Sequence, residues 1–152
     1  MLTITKKLDT PVKPSTSLTL PFEKRQKSRL RVTLDGNQEA ALMLERGSIL
    51  RHGDFLCADN GLIVEICAAD EEVAVISTKD NFLFARACYH LGNRHVPLQI
   101  EENCLRFIRD HVLEEMVKSL GLSVKHELSP FEPEGGAYSV NSSHSHSHPN
   151  EA

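Results

Sequence analysis

The hydrophobic period of the chain changes near residue 70, and this change restricts the folds open to it. Before it, apolar and polar residues alternate: Leu2 and Ile4, then Leu18, Leu20 and Phe22, then Leu30, Val32 and Leu34. Successive side chains of a strand point to opposite faces, so a period of two predicts half-buried strands. Turn-forming residues separate them at Asp35-Gly36-Asn37, Arg46-Gly47, His52-Gly53-Asp54 and Asn60-Gly61, and Leu62 to Ile66 follows as a further strand. The run Gln38 to Glu45 has helical propensity but lies between strands, and its state stays open. The first half therefore predicts a small all-β unit.

After the polar hinge Ala68-Ala69-Asp70-Glu71-Glu72, helical spacing enters. Val73 to Ile76 predicts a strand, and Asp80 or Asn81 caps a helix whose inner positions are Phe84, Ala87, Cys88 and Leu91, with its stop at Gly92-Asn93. Val96, Leu98 and Ile100 alternate as a strand, Glu101-Glu102-Asn103 turns, and Cys104 to Ile108 returns. Asp110 caps a second helix with an apolar stripe of Val112, Leu113, Met116, Val117 and Leu120, Glu114 outside and Gly121 as the stop. Leu122 to Leu128 predicts the last strand. Strand, helix, strand, strand, helix, strand is the order of a ferredoxin-like fold. The expected class is α+β: an all-β domain over residues 1–70, a ferredoxin-like βαββαβ domain over 71–138, and a disordered histidine-containing tail over 139–152.

Such a fold hosts many chemistries, so function must be read from side chains. The chain has 152 residues and a formal net charge of −4. That charge argues against general affinity for nucleic acid or anionic membrane, both of which require excess Lys and Arg. No apolar run approaches the roughly 20 residues that span a bilayer, and Met1 to Thr10 lacks the apolar core of a signal peptide, so a cytoplasmic location is expected. Cys57, Cys67, Cys88 and Cys104 are far apart and flanked by apolar residues, which favours buried reduced thiols over metal ligands.

Eight histidines remain. Neutral imidazole suits nickel, copper and zinc. Three histidines alternate with serine in His144-Ser145-His146-Ser147-His148, inside a polar terminal run too poor in apolar residues to fold. An extended chain with this spacing brings its imidazoles to one side, where two can close on one ion; a polar tail with incidental histidines is the plainer alternative. His95 follows the first helix stop and precedes Val96-Pro97, so rigid elements on both sides hold an accessible side chain. One imidazole is not a site, and no HExxH or CxxC motif supplies partners.

Residues 88 to 100, with Gly92-Asn93-Arg94-His95 at their centre and Pro97 and Gln99 behind, resemble the signature of the UreE urease accessory protein family. Asp110 to Met116, Gly121-Leu122 and Pro130 to Tyr138 resemble the family's second helix and exit segment, and Arg46-Gly47, Leu50-Arg51 and Gly53-Asp54 fit its first half. The resemblance implies a homodimer in which His95 meets its symmetry mate and binds nickel, with further ligands from His144, His146 and His148. It also implies a peripheral ligand at His111; some relatives carry another histidine where this chain has Arg109. The implied role is nickel delivery during urease assembly, with the GTPase UreG and the apo-urease complex as partners; zinc or copper are alternative ions.

Arg25, Lys27, Arg29 and Arg31 recur at period two, which predicts one basic strand face, either simply solvated or docking an acidic partner. A metal hydrolase would need an acid or base beside the metal, and none accompanies His95 in the sequence. An RNA-binding sheet would need stacking aromatics, where the two expected central strands supply only Phe107. A general peptide-binding chaperone built on the first domain is the remaining alternative.

Overall fold

The computed structural model describes residues 1–135. Its first part comprises β1 (Leu2–Lys7), β2 (Thr16–Leu20), a short helix α1 (Phe22–Arg25), β3 (Arg29–Thr33), β4 (Glu39–Met43), β5 (Phe55–Ala58) and β6 (Ile63–Ala68). These strands form one sheet in the order β2-β6-β5-β1-β4-β3. Alternation decides which side chains turn inward. In β6, Val64 and Ile66 are fully buried while Ile63, Glu65 and Cys67 are only partly covered. With Ile4, Leu18, Leu42 and Leu56 they make a continuous core, each aliphatic contributing about 1.5–3 kcal/mol by leaving water. The run that propensity left open is strand β4, because it pairs with β1 on one side and β3 on the other, and sheet pairing overrides weak helical preference.

The second part contains β7 (Asp70–Ser77), α2 (Asn81–Gly92), β8 (Gln99–Glu101), β9 (Cys104–Ile108), α3 (His111–Ser119) and β10 (Lys125–Pro130), with a four-stranded sheet in the order β10-β7-β9-β8. The class is mixed α+β, as expected. Among the described residues, no helix is long and apolar enough to cross a membrane. By compactness the chain forms two units. Met1–Val73 with His126–Glu132 make the first, and Ala74–Lys125 with the residues from Pro133 make the second.

Several details depart from the sequence reading. The strand expected from Leu122 begins only at Lys125, because the chain is still leaving helix α3 at Leu122. Phe22 continues the alternation of Leu18 and Leu20, yet it opens α1 behind Pro21. The four basic residues do not share a face. Arg25 ends α1 and is fully buried, whereas Lys27, Arg29 and Arg31 are exposed. Its guanidinium donates to the carbonyls of Leu20 (3.0 Å), Leu50 (3.1 Å) and Phe131 and to Glu132 Oε1 (2.7 Å). Arg51 also reaches Glu132 Oε1 at 3.2 Å, and the His52 N–H donates to Glu132 Oε2 at 2.7 Å. A buried charge is tolerable only when so paired. The four cysteines are free but half-buried rather than enclosed.

Candidate metal centre

Helix α2 starts where Asp80 accepts hydrogen bonds from the N–H groups of Phe82 and Leu83. Its inner face buries Ala87 and Leu91. The stop differs from the one expected at Gly92. That glycine is still helical, and the chain makes nearly one more turn before reversing. His95 N–H donates to the Gly92 carbonyl (2.9 Å) and Val96 N–H to the Leu91 carbonyl (3.4 Å), while His95 takes φ of 57°. This pair of bonds around a left-handed residue is a Schellman motif with His95 at the position usually held by glycine. Val96 then packs against the core that contains Leu91, which supplies the motif's apolar contact.

Helix α3 ends in the same way. Gly121 N–H donates to the Lys118 carbonyl (2.9 Å), Leu122 N–H to the Val117 carbonyl (3.4 Å), and Gly121 has φ of 100°. Glycine occupies that left-handed position without a Cβ penalty, whereas an L residue there costs about 1–2 kcal/mol. The chain thus places an exposed histidine in this strained backbone position at the end of α2, where α3 carries glycine. Strain of this kind clusters at functional sites.

His111 is the first residue of α3 and is exposed. Its position is fixed by a reciprocal cap, in which Asp110 accepts from Leu113 N–H (3.0 Å) and Glu114 accepts from Asp110 N–H (3.1 Å). That cap overturns two expectations about the helix faces. Glu114 is buried at 7% exposure, and Val112 lies outside at 60%. His144, His146 and His148 lie outside the described residues. Among the described residues, no three His, Cys, Asp or Glu side chains come together as a metal site. Burial pushes the Cys88 thiol above its ordinary value, which keeps it protonated and makes it a poor ligand. His90 sits half-buried, edge-on to the Tyr89 ring at 5.1 Å. His52 is occupied, its Nδ1 accepting from Ala68 N–H at 3.1 Å.

The sequence reading missed the outer face of α2. Phe82 and Tyr89 are 70% and 66% exposed, and Arg86 lies over the Phe82 ring at 5.7 Å. Positions 82, 86 and 89 are helical neighbours, and two large aromatics opposite the inner stripe were the available signal.

Together these features define a class: a two-unit α+β protein that presents a conformationally fixed histidine at a helix end below an exposed aromatic face. Residues 3–69 match the family model for the UreE urease accessory protein N-terminal domain, and residues 71–152 match that for its C-terminal domain. The chain is similar to the urease accessory protein UreE of Alkalilimnicola ehrlichii, with 53% identity over 138 residues covering 91% of this chain and 85% of the relative. It is 48% identical to the protein of that name from Escherichia coli O157:H7 over 152 residues, 99% of this chain and 98% of the relative. The Citrobacter koseri protein is 50% identical over 149 residues, 97% of each. The chain belongs to the UreE urease accessory protein family, a family of accessory proteins and not of enzymes.

Proposed function

We propose that this protein is a cytoplasmic nickel metallochaperone that delivers the ion to apo-urease while the urease metallocentre is assembled. The single observation that carries the reading is His95, an exposed histidine whose backbone is left-handed at the end of α2. Its partners come from symmetry. We read the second part as a ferredoxin-like domain spanning 71–138, since its elements follow the βαββαβ order and its outer strands flank the first and third. Two copies joined about a two-fold axis bring two His95 side chains to one ion, and the aromatic face of α2 gives that contact an apolar surface. His111 serves as a peripheral ligand.

The tail of residues 139–152 supplies the remaining imidazoles. Glu134 N–H donates to the Leu98 carbonyl at 2.8 Å, so the exit segment is tied three residues beyond His95. The ten residues from there to His144 span at most about 33–36 Å when extended, enough for His144, His146 and His148 to reach the ion. Imidazole and water hold nickel less tightly than a thiolate cage, which leaves the ion transferable to the GTPase UreG and the urease complex. Zinc and copper compete for the same ligands in vitro.

Calorimetric titration with nickel tests this. The intact chain is compared with His95→Ala and with a chain ending at Asn141. The first variant loses the tightest binding event, and the second keeps that event with fewer ions bound. Unchanged stoichiometry and affinity in both would sink the proposal.

A further inference from the structure

The first unit is not one continuous stretch of chain. Met1–Val73 is completed by His126–Glu132, which follow the second unit's Ala74–Lys125 in sequence, and Phe131 of that returning segment is fully buried. Its ring meets Phe22 edge-on at 5.9 Å, and Phe22 also lies under the guanidinium groups of Arg25 (5.6 Å) and Arg51 (5.9 Å). Strand β10 ends at Pro130, and the chain beyond it is irregular. What seats Phe131 and Glu132 is the pair of arginines, which donate to the Phe131 carbonyl and the Glu132 carboxylate, together with the His52 N–H.

These contacts join several elements at once. Arg25 also holds the carbonyls of Leu20, at the end of β2, and of Leu50, a core residue whose N–H returns a bond to the Arg25 carbonyl at 2.9 Å. His52 carries the network to β6, because its Nδ1 accepts from Ala68 N–H. Without Phe131 and Glu132, Arg25 would keep two carbonyls and lose its counter-charge while fully buried. Removing one partner of a buried ion pair is strongly destabilising, because the other charge stays uncompensated. Phe22 would lose its ring partner as well. Every one of these contacts lies within the first unit, so the penalty falls there.

We propose that Phe131-Glu132 is a releasable strap: seated, it closes the first unit, and released, it lets that unit open while the second unit stays folded. Proteins open in cooperative parts of this kind, each with its own free energy. The Glu132 and Arg51 side chains are 29% and 32% exposed, so water reaches the rim of the seat and can take over their bonds. The strap also orders synthesis. It emerges after Ala74–Lys125, so the first unit closes only once the second unit's chain has been made. The first unit can thereby change state while α2 and His95 keep their conformation, and the strap does not depend on the nickel reading.

Native-state hydrogen exchange on the full chain without nickel tests this. Two variants loosen the strap by different means: Glu132→Gln removes its charge, and Phe131→Leu removes its ring contact. In each, the protected amides of β2, β4, β5 and β6 should exchange about tenfold faster or more, while those of α2, β9 and α3 keep the parent's rates. Thiol labelling read by mass spectrometry gives a second measure, since each unit carries two free cysteines. Cys57 and Cys67 should react faster in both variants, and Cys88 and Cys104 at the parent's rate. In an Arg25→Met chain, Glu132→Gln should add less than about threefold, because no buried cation is left uncompensated. Acceleration in both units alike, in neither, or only at residues 50–54 would overturn the proposal. So would a full tenfold effect of Glu132→Gln in the Arg25→Met chain.

Discussion

His95 holds a position where backbone stability and ligand chemistry demand different residues. The left-handed turn favours glycine, as Gly121 shows at the end of α3, whereas the proposed ligand role requires an imidazole. Replacing His95 with glycine should therefore raise stability by about 0.5–1 kcal/mol in urea denaturation while removing nickel binding. On the proposed role, His95→Ala should lose nickel binding without that gain. A glycine variant less stable than the parent would show that the imidazole supports the fold itself. Glu132 presents the converse case, a charge needed for structure. Burial alone would raise its carboxyl, but the His52 N–H and the bonds and charge of Arg25, with help from Arg51, hold it below the usual 4.5. A carboxylate depressed by folding stabilises above its unfolded value, and that contribution disappears as pH falls through the lower folded value. Glu132→Gln should thus cost about 1–3 kcal/mol near neutrality, and the difference from the parent should shrink in acid unfolding curves once the pH falls below 4.5 and through the lower folded value. A gap between the two that persists unchanged into acid would assign the loss to packing instead of charge.

Elements with a clear period were readable in the sequence, and their ends were less so. Alternation located β1, β2, β3 and β6, and helical spacing with Asp80 and Asp110 located the starts of α2 and α3, because these signals are local. Where partners are distant, local signals misled. Arg25 continued a period of two, but its burial rests on Phe131 and Glu132, 106 and 107 residues away, which no window along the chain reveals. Gly92 was the nearest glycine to the end of α2 and stood in for the stop, while the residue that reverses the chain is His95. At α3, the cap draws Glu114 inward and leaves Val112 exposed, a choice made by backbone N–H groups seeking acceptors and not by hydrophobicity. For the candidate site, the motif singled out His95, but its strained conformation and the aromatic face of α2 required coordinates. The tail histidines stand as a sequence expectation, outside the described residues.

For the whole molecule, the proposed carrier role raises the question of how a chain with no three-ligand cluster among its described residues would hold an ion tightly enough to carry it. The proposed dimer would answer it, since a two-fold axis presents every ligand twice. The contact must then be made by a surface that is unsatisfied in one copy, and the outer face of α2 fits. Phe82 and Tyr89 expose large aromatic area, and aromatics are favoured at the centres of such interfaces. Because both side chains are exposed, charges placed there should leave the fold intact. Phe82→Glu with Tyr89→Glu should therefore sediment as a monomer where the parent sediments as a dimer, with the same circular dichroism spectrum and melting temperature. On the proposed shared site its nickel affinity should fall about tenfold or more, because each ion would lose the ligands of the second copy. A double variant that stays dimeric would move the interface elsewhere on the second unit. One that becomes monomeric yet keeps the parent's affinity would show that a single chain completes the site with its own tail.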